Sequence, residues 1–375
     1  MNLNFTAEEQ AFRAECRSWL EANIPTEPLA SGDTRDGFFQ HVAWEKKLFA
    51  AGWAVVSWPE EYGGRGATLM EWLIFEEEYY RAGAPARVTQ NGIFLLAPTL
   101  FEFGTEAQKA RILRPMAAAE TLWGQAWSEP EAGSDLANVK STARRVDGGW
   151  RLRGQKTWCT RGAFCDGIYG LFRTDPDSER HRGLTYFMVP LDAEGITVRG
   201  VERLDGDESF AEIFLDDVFV ADTEIIGGVH QGWKVAMATT SSERGLSLRS
   251  PGRFIATATR LIALWNQRQD PRLRDQVVRM WMDAQAYRLY TFQTVTRMMQ
   301  GGTLGADSSL NKIFWSEMDI AGHETALELL GGDAEIDEEN RWLRDYMFAL
   351  AGPIYAGTNE VQRMIVARRV LELPR

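Results

Sequence analysis

Cysteine and histidine are scarce in this chain, which has three of the first (Cys16, Cys159 and Cys165) and four of the second. Three scattered thiols exclude a disulfide framework, and no Cys/His grouping has metal-ligand spacing, so no metal is expected. An excess of positive charge is also lacking. Lys and Arg number 41 against 53 Asp and Glu, for a formal net charge of −12, and the arginines are scattered among acids. That balance excludes a broad nucleic-acid surface. No apolar run approaches the about 18 residues of a membrane span. Met1-Asn2-Leu3-Asn4-Phe5 leads straight into Thr6-Ala7-Glu8-Glu9 without the pattern of a targeting segment. The expectation is a cytoplasmic protein with no membrane insertion. Gly/Ser/Pro-rich linkers and low-complexity tracts are missing too, so disorder is not expected.

What is present is enough for an enzyme. A chain of 375 residues with 45% hydrophobic residues divides into two or three domains. Most of the 14 tryptophans are expected to fill core volume. Residues 1–121 read as helical. Thr6 and Glu9 form a capping box ahead of Phe12, Cys16, Trp19 and Leu20 at helical spacing. Further helices are predicted over 38–52, 69–82, 88–103 and 105–119, the last opening with the capping box Thr105-Glu106-Ala107-Gln108. Gly63-Gly64-Arg65-Gly66 reads as a helix connection, because no strand precedes it as a phosphate cradle requires.

Between 122 and 228 the period changes to two. Val146-Asp147-Gly148-Gly149-Trp150 reads as a hairpin turn, and Leu184–Val189, Ile196–Val198 and Ala211–Leu215 read as strands. From 229 to 375 the helical period returns, over about 231–267, 271–300, 307–330, 338–350 and 358–371, with Gly301-Gly302 and Gly331-Gly332 as breaks. The fold class is therefore α+β, with an N-terminal helical domain, a central antiparallel β domain and a C-terminal helical bundle.

Two segments carry the chemistry. In Trp127-Ser128-Glu129-Pro130-Glu131-Ala132-Gly133-Ser134-Asp135, the small-residue turn exposes backbone N–H groups suited to a pyrophosphate or an electron-rich ring edge. In Gly154-Gln155-Lys156-Thr157-Trp158-Cys159-Thr160, Trp158 and Thr160 supply a flat apolar wall and a short hydroxyl. Each alone could be an ordinary turn or core element. Together, and in this order, they resemble the acyl-CoA dehydrogenase family over essentially the whole chain.

The resemblance implies FAD as cofactor. Gln125, Trp127 and Ser128 would lie along the flavin pyrimidine edge, although the family more often has an aromatic at the first position and a small aliphatic at the second. Gly133 and Ser134 would approach the pyrophosphate and substrate, and Trp158 and Thr160 would flank the isoalloxazine. Gly331 and Gly332, in Leu327-Glu328-Leu329-Leu330-Gly331-Gly332, correspond to the stretch that touches the ADP portion, usually from a neighbouring subunit. Glu328 replaces the usual Gln there. The family's Arg-x-x-Phe-Gly is replaced by Arg268-Gln269-Asp270-Pro271-Arg272, in which Arg268 or Arg272 could substitute. Thr358 and Glu360, in Gly357-Thr358-Asn359-Glu360-Val361-Gln362-Arg363, would reach the flavin or its ribityl chain.

Removing a proton α to a thioester needs a carboxylate in an apolar, water-poor pocket. The straight-chain branch of the family places it just before the closing Gly-Thr, where this chain has Ala356. The isovaleryl-, long-chain- and steroid-side-chain-like branches carry it on the first helix of the C-terminal domain before an Arg, matching Glu243-Arg244. Met237, Leu246 and Leu248 give Glu243 partly buried surroundings, while a solvated helix carboxylate is the bland alternative.

The implied activity is flavin-dependent α,β-dehydrogenation of an acyl-CoA to the trans-2-enoyl-CoA, as in β-oxidation-type lipid metabolism. Glu243 is the base, flavin N5 the hydride acceptor and the Ala356 N–H an oxyanion donor. Ser134, Arg244, Ala356 and Gly357 would adjoin a branched, cyclic or bulky acyl group. An acyl-carrier-protein thioester is equally compatible. Electron-transfer flavoprotein as acceptor and a homo- or heterotetramer are implied by the family. A flavin-dependent oxidase or monooxygenase on the same fold, or a non-catalytic subunit that scaffolds a paralogue, are the competing readings.

Overall fold

The computed structural model describes residues 4–243, 250–302, 304–306, 308–336 and 341–374, with the backbone alone for 241–243. Its helices are α1 (Ala7–Asn23), α2 (Arg35–Ala50), α3 (Leu69–Arg81), α4 (Ala97–Phe103), α5 (Glu106–Ala117), α6 (Gly232–Glu243), α7 (Pro251–Arg268), α8 (Arg274–Met299), α9 (Ser308–Leu330), α10 (Asp333–Ile336), α11 (Arg341–Ala349) and α12 (Asn359–Arg369). The strands are β1 (Trp123–Gln125), β2 (Thr142–Val146), β3 (Gly149–Thr160), β4 (Gly167–Arg173), β5 (Leu184–Pro190), β6 (Ile196–Val201), β7 (Phe210–Ala221) and β8 (Ile225–Ile226). No helix among the described residues is long and apolar enough to cross a membrane.

Local chemistry starts most of these elements where the sequence places them. The Thr6/Glu9 and Thr105/Gln108 capping boxes form as expected, and Thr68/Glu71 makes a third ahead of α3. Each supplies partners for N–H groups that a helix start leaves unbonded. The predicted helix over 231–267 is two helices. The Ser250 side chain accepts from the Gly252 N–H, and Pro251, whose ring fixes φ, starts α7 afresh. The predicted helix over 88–103 opens with one wider π-helical stretch, Asn91–Leu96, before continuing as α4.

The chain folds as two compact units. One comprises Glu27–Gly66 and Pro85–Glu243. It holds a sheet ordered β6-β7-β3-β2-β4-β5-β8, with β1 paired to β4. The Asp147-Gly148 turn joins β2 and β3 as read, with Gly148 at φ +70°. Most pairs are antiparallel, but β1 runs parallel to β4, and β2 meets β4 in parallel at Thr142 and Arg173. The β2–β3 hairpin separates β1 from β4 in sequence, and that long connection allows a parallel pairing. The core of this sheet is Leu152, Ile168, Phe172, Phe187, Ile213 and Val218, all fully buried. Each such side chain contributes roughly 1.5–3 kcal/mol relative to exposure.

The other unit comprises Met1–Thr26, Ala67–Ala84 and Arg244–Arg375. Within it, α7 approaches α3 closely at Gly252, where any Cβ would sit 2.7 Å from the Glu76 carbonyl oxygen. Phe254, Leu261, Tyr287 and Trp315 form its apolar centre.

Candidate active site

The sheet-bearing unit contains the first group of candidate residues. The Ala126 N–H donates to the Tyr169 carbonyl at 2.9 Å, which carries the β1–β4 pairing one residue further. Close approach here depends on Gly170, because a Cβ at that position would collide with the Ala126 carbonyl oxygen. Gly170→Ala is therefore expected to push β1 off β4 and cost about 1–3 kcal/mol of stability. A thermal melt superimposable on wild type would refute this packing.

Beyond β1 the side chains divide. Trp127 turns into the core, where its Nε1–H donates to the Tyr186 hydroxyl at 2.9 Å and the two rings meet edge-on. Its indole is thus committed to packing, and any contact with a bound group falls to its backbone. The Gln125 Nε2, by contrast, is buried with no acceptor among the described residues. The Ser128 carbonyl accepts from the Thr157 N–H at 2.9 Å. The next turn is closed by paired backbone bonds between Glu129 and Ala132, both 3.0 Å, and leads to exposed Gly133 and Ser134. A Cβ at Gly133 would meet nothing within 4 Å.

Opposite lies a β-bulge. Lys156 pairs with Ile213 and Cys159 with Ala211, leaving Thr157 and Trp158 opposite Glu212 alone. Trp158 adopts φ +56°, a left-handed backbone that is uncommon for an aromatic residue and costs about 1–3 kcal/mol. The indole is nonetheless 60% exposed, edge-on to Phe210 at 5.5 Å. A strained backbone thus holds an apolar ring out in solvent. Neighbouring Cys159 is excluded from the chemistry, because burial pushes its thiol up to about 12. Thr160 accepts through its carbonyl from the Asn91 Nδ2 at 3.3 Å, and the Tyr169 hydroxyl donates to the Asn91 carbonyl at 2.8 Å. Asn91 lies in a segment that the sequence pattern reads as uniform helix. The widened helical turn that it begins is a frequent mark of functional positions.

The helical unit contains the other candidates. Ala356 and Gly357 both take left-handed φ, +56° and +81°. Buried Gln362 holds that turn, its Nε2 donating to the Ala356 carbonyl at 2.9 Å and the Gly357 carbonyl at 3.2 Å. The Thr358 hydroxyl caps α12 by accepting from the Val361 N–H. Below it the Asn359 Oδ1 accepts from the buried Lys312 Nζ at 2.9 Å. The Glu360 carboxyl lies below its usual range, held there by its own backbone N–H and the Thr358 hydroxyl.

Gly331 and Gly332 lie past the far end of α9, exposed and with open space where side chains would project. Lys312, beside Asn359, and Leu330 are separated by most of that helix, roughly 27 Å at 1.5 Å per residue. The Gly-Gly pair and the closing motif are thus held well apart in the unit. Arg268 pairs with Asp333 at 2.6 Å and Arg272 with Asp270 at 2.6 Å. Both arginines proposed as substitutes are therefore already bound to aspartates, and Glu328 is exposed.

Glu243 is the last residue of α6, and its side chain lies outside the described residues, as do Arg244, Leu246 and Leu248. Met237, expected to be partly buried, is 36% exposed.

Family sequence models match in three consecutive blocks: the acyl-CoA dehydrogenase N-terminal domain over residues 6–120, the middle domain over 124–218 and the C-terminal domain over 230–371. The chain belongs to the acyl-CoA dehydrogenase family. It is 37% identical to the acyl-CoA dehydrogenase IpdE1 of Mycolicibacterium smegmatis over 98% of each chain, and to IpdE1 of Mycobacterium tuberculosis likewise. Among solved structures it is similar to one described as Tcur3481-Tcur3483 steroid ACAD, with a TM-score of 0.89 and 27% identity over the whole of both chains. The ChsE4-ChsE5 complex from Mycobacterium tuberculosis gives a TM-score of 0.85 and 28% identity over the same extent.

As an acyl-CoA dehydrogenase this chain is a flavin-dependent oxidoreductase, and its cofactor is FAD. The residues present fit that group. A buried amide donor at Gln125 without an acceptor among the described residues, an open backbone at Gly133 and an indole displayed at Trp158 are what an oxygen-bearing, flat, anionic molecule would complete.

Proposed function

We propose that this acyl-CoA dehydrogenase introduces a trans-2 double bond into a thioester whose acyl group is branched, cyclic or steroid-derived. The observation that carries the proposal is Ala356. The turn of the closing motif is intact around it, held by Gln362, yet its methyl group cannot accept a proton. The base must come from elsewhere, and Glu243 at the end of α6 is the carboxylate assigned to it. Glu243 takes the proton from Cα, while the hydrogen on Cβ leaves with its electron pair. FAD, when bound, would supply the acceptor for that pair, with a protein such as electron-transfer flavoprotein as the onward electron acceptor. The Ala356 N–H is assigned to meet the charge that gathers on the thioester oxygen. Gln125, Ser128 and Thr160 orient the flat part of the cofactor, Trp158 excludes water from one face, and Gly133 and Ser134 take the pyrophosphate side. A methyl group at 356 leaves room for a wide acyl group, in keeping with the similarity to the steroid ACAD structure.

A second reading concerns assembly. Arg268 and Arg272 pair at the surface with Asp333 and Asp270, and Glu328 would repel a pyrophosphate. These features favour a complex with a different chain of the same family that supplies the ADP-side contacts, and solved relatives are themselves two-component assemblies.

One experiment addresses both readings. The purified chain is mixed without oxygen with straight, branched and ring-bearing acyl-CoAs while its visible spectrum is followed. Bleaching of the flavin band by bulky thioesters in preference to straight ones is expected. A flavin that no thioester bleaches would overturn the dehydrogenase assignment, and a colourless chain that gains flavin only with a second family member would establish the heteromeric assembly.

A further inference from the structure

The two segments read as the flavin seat are joined by the Thr157–Ser128 backbone bond and, beside it, by a buried ion pair. Lys156 is 0% exposed. Its Nζ donates to the Glu129 Oε1 at 2.7 Å and to the Leu171 carbonyl at 2.7 Å, and lies 4.6 Å from the centre of the Phe172 ring. Glu129 is equally well occupied. Its Oε2 accepts from the Lys140 N–H at 2.6 Å and its Oε1 from the Ser141 N–H at 3.0 Å. Burial pushes the Lys156 ammonium down, and the Glu129 carboxylate opposes that shift. The Glu129 carboxyl would be raised by burial but is lowered by Lys156 and the two backbone donors.

A buried ion pair rarely stabilises a fold more than apolar packing of the same volume, so its worth lies in geometry. Here the geometry is specific. Glu129 follows Ser128 and opens the turn that leads to Gly133 and Ser134, while Lys156 precedes Thr157 and the strained Trp158. Trp158 keeps a left-handed backbone with its ring mostly in solvent and edge-on to Phe210, so its bulge gains from being fixed from beneath as well.

We propose that the Lys156–Glu129 pair is the positioning element of the flavin seat, fixing the distance between the 128–134 segment and the Thr157–Trp158 bulge. This rests on the reading of those segments as the cofactor site. Neither residue touches the reacting atoms.

The test compares Glu129→Gln, which keeps the shape, Lys156→Met, the double variant and the conservative Lys156→Arg. Amide hydrogen exchange on the whole chain reads the geometry without any cofactor. Exchange in peptides covering 128–141 and 156–160 is expected to rise about tenfold or more in the double variant, while the β6–β7 hairpin stays as in wild type. FAD titration is expected to show affinity weakened about tenfold or more, with an altered visible spectrum and a larger fall in kcat than rise in KM. Lys156→Arg should recover part of the affinity. Unchanged local exchange, or weakened FAD binding that merely follows a general loss of melting temperature in all four variants, would overturn the inference. Trp158→Leu separates the two levels. If it changes the bound-flavin spectrum while the pair variants do not, the positioning role fails alone. If neither changes it, the seat reading fails as well.

Discussion

Glu243→Gln is expected to keep FAD and thioester binding and to lower turnover by about 10²–10⁴-fold, the usual contribution of a positioned general base. The amide is isosteric and still polar, so it preserves binding contacts but cannot take the α-proton. The loss should therefore fall on kcat, with KM changed little. Rapid-mixing reduction of the bound flavin by a bulky acyl-CoA measures the step directly, and binding of a non-reacting thioester shows that the site survives. A reduction rate within a few-fold of wild type would place the base on another residue. Ala356 cannot be that residue, since its side chain carries no ionisable group.

Glu78→Gln should have the largest effect on stability. This carboxylate is buried on α3 and accepts from Arg13 at 2.7 Å, Arg17 at 2.9 Å and Arg81 at 2.7 Å, the first two reaching it from α1. Arg13 also pairs with Glu77, which in turn accepts from Arg288 on α8, and Glu21 faces Arg81. Burial alone would raise the Glu78 carboxyl, but the hydrogen bonds from Arg17, Arg81 and Arg13 outweigh it and lower the pKa from 4.5 to about 2. The unfolded chain therefore takes up this proton first as pH falls. The contribution, about 3 kcal/mol at 1.36 kcal/mol per unit, is fully present above pH 4.5 and lost as pH falls towards about 2. Denaturant unfolding of both proteins at pH 7 and at pH 3 checks this. The gap between them should be about 3 kcal/mol at pH 7 and narrow on acidification. A gap independent of pH would show that the arginines do not act through the charge of Glu78.

Much of this fold was legible because its signals are local. The Thr6/Glu9 and Thr105/Gln108 boxes and the Asp147-Gly148 turn act within four residues, so sequence spacing suffices to predict them. The break at Ser250-Pro251 is equally local, but it was obscured by helical periodicity on both sides. The site divides along the same line. Trp158 and Thr160, Gly133 and Ser134, and the Ala at 356 are visible in the chain as motif positions.

By itself, then, the sequence determined the family, the cofactor and the residue types available to hold it, because these depend on short runs of side chains in a fixed order. Only the tertiary structure decided that Trp127 turns inward to Tyr186 while Trp158 turns outward, for two tryptophans of equal hydrophobicity. It alone decided that Lys156 is buried against Glu129 and the Leu171 carbonyl, that Gln362 clamps the Ala356 turn, and that Asn91 reaches Thr160. The physical reason is that burial and charge pairing are set by partners brought together through strand register and helix packing. Glu129 and Lys156 are 27 positions apart, and Asn91 and Thr160 are 69 apart, well beyond the reach of any local propensity.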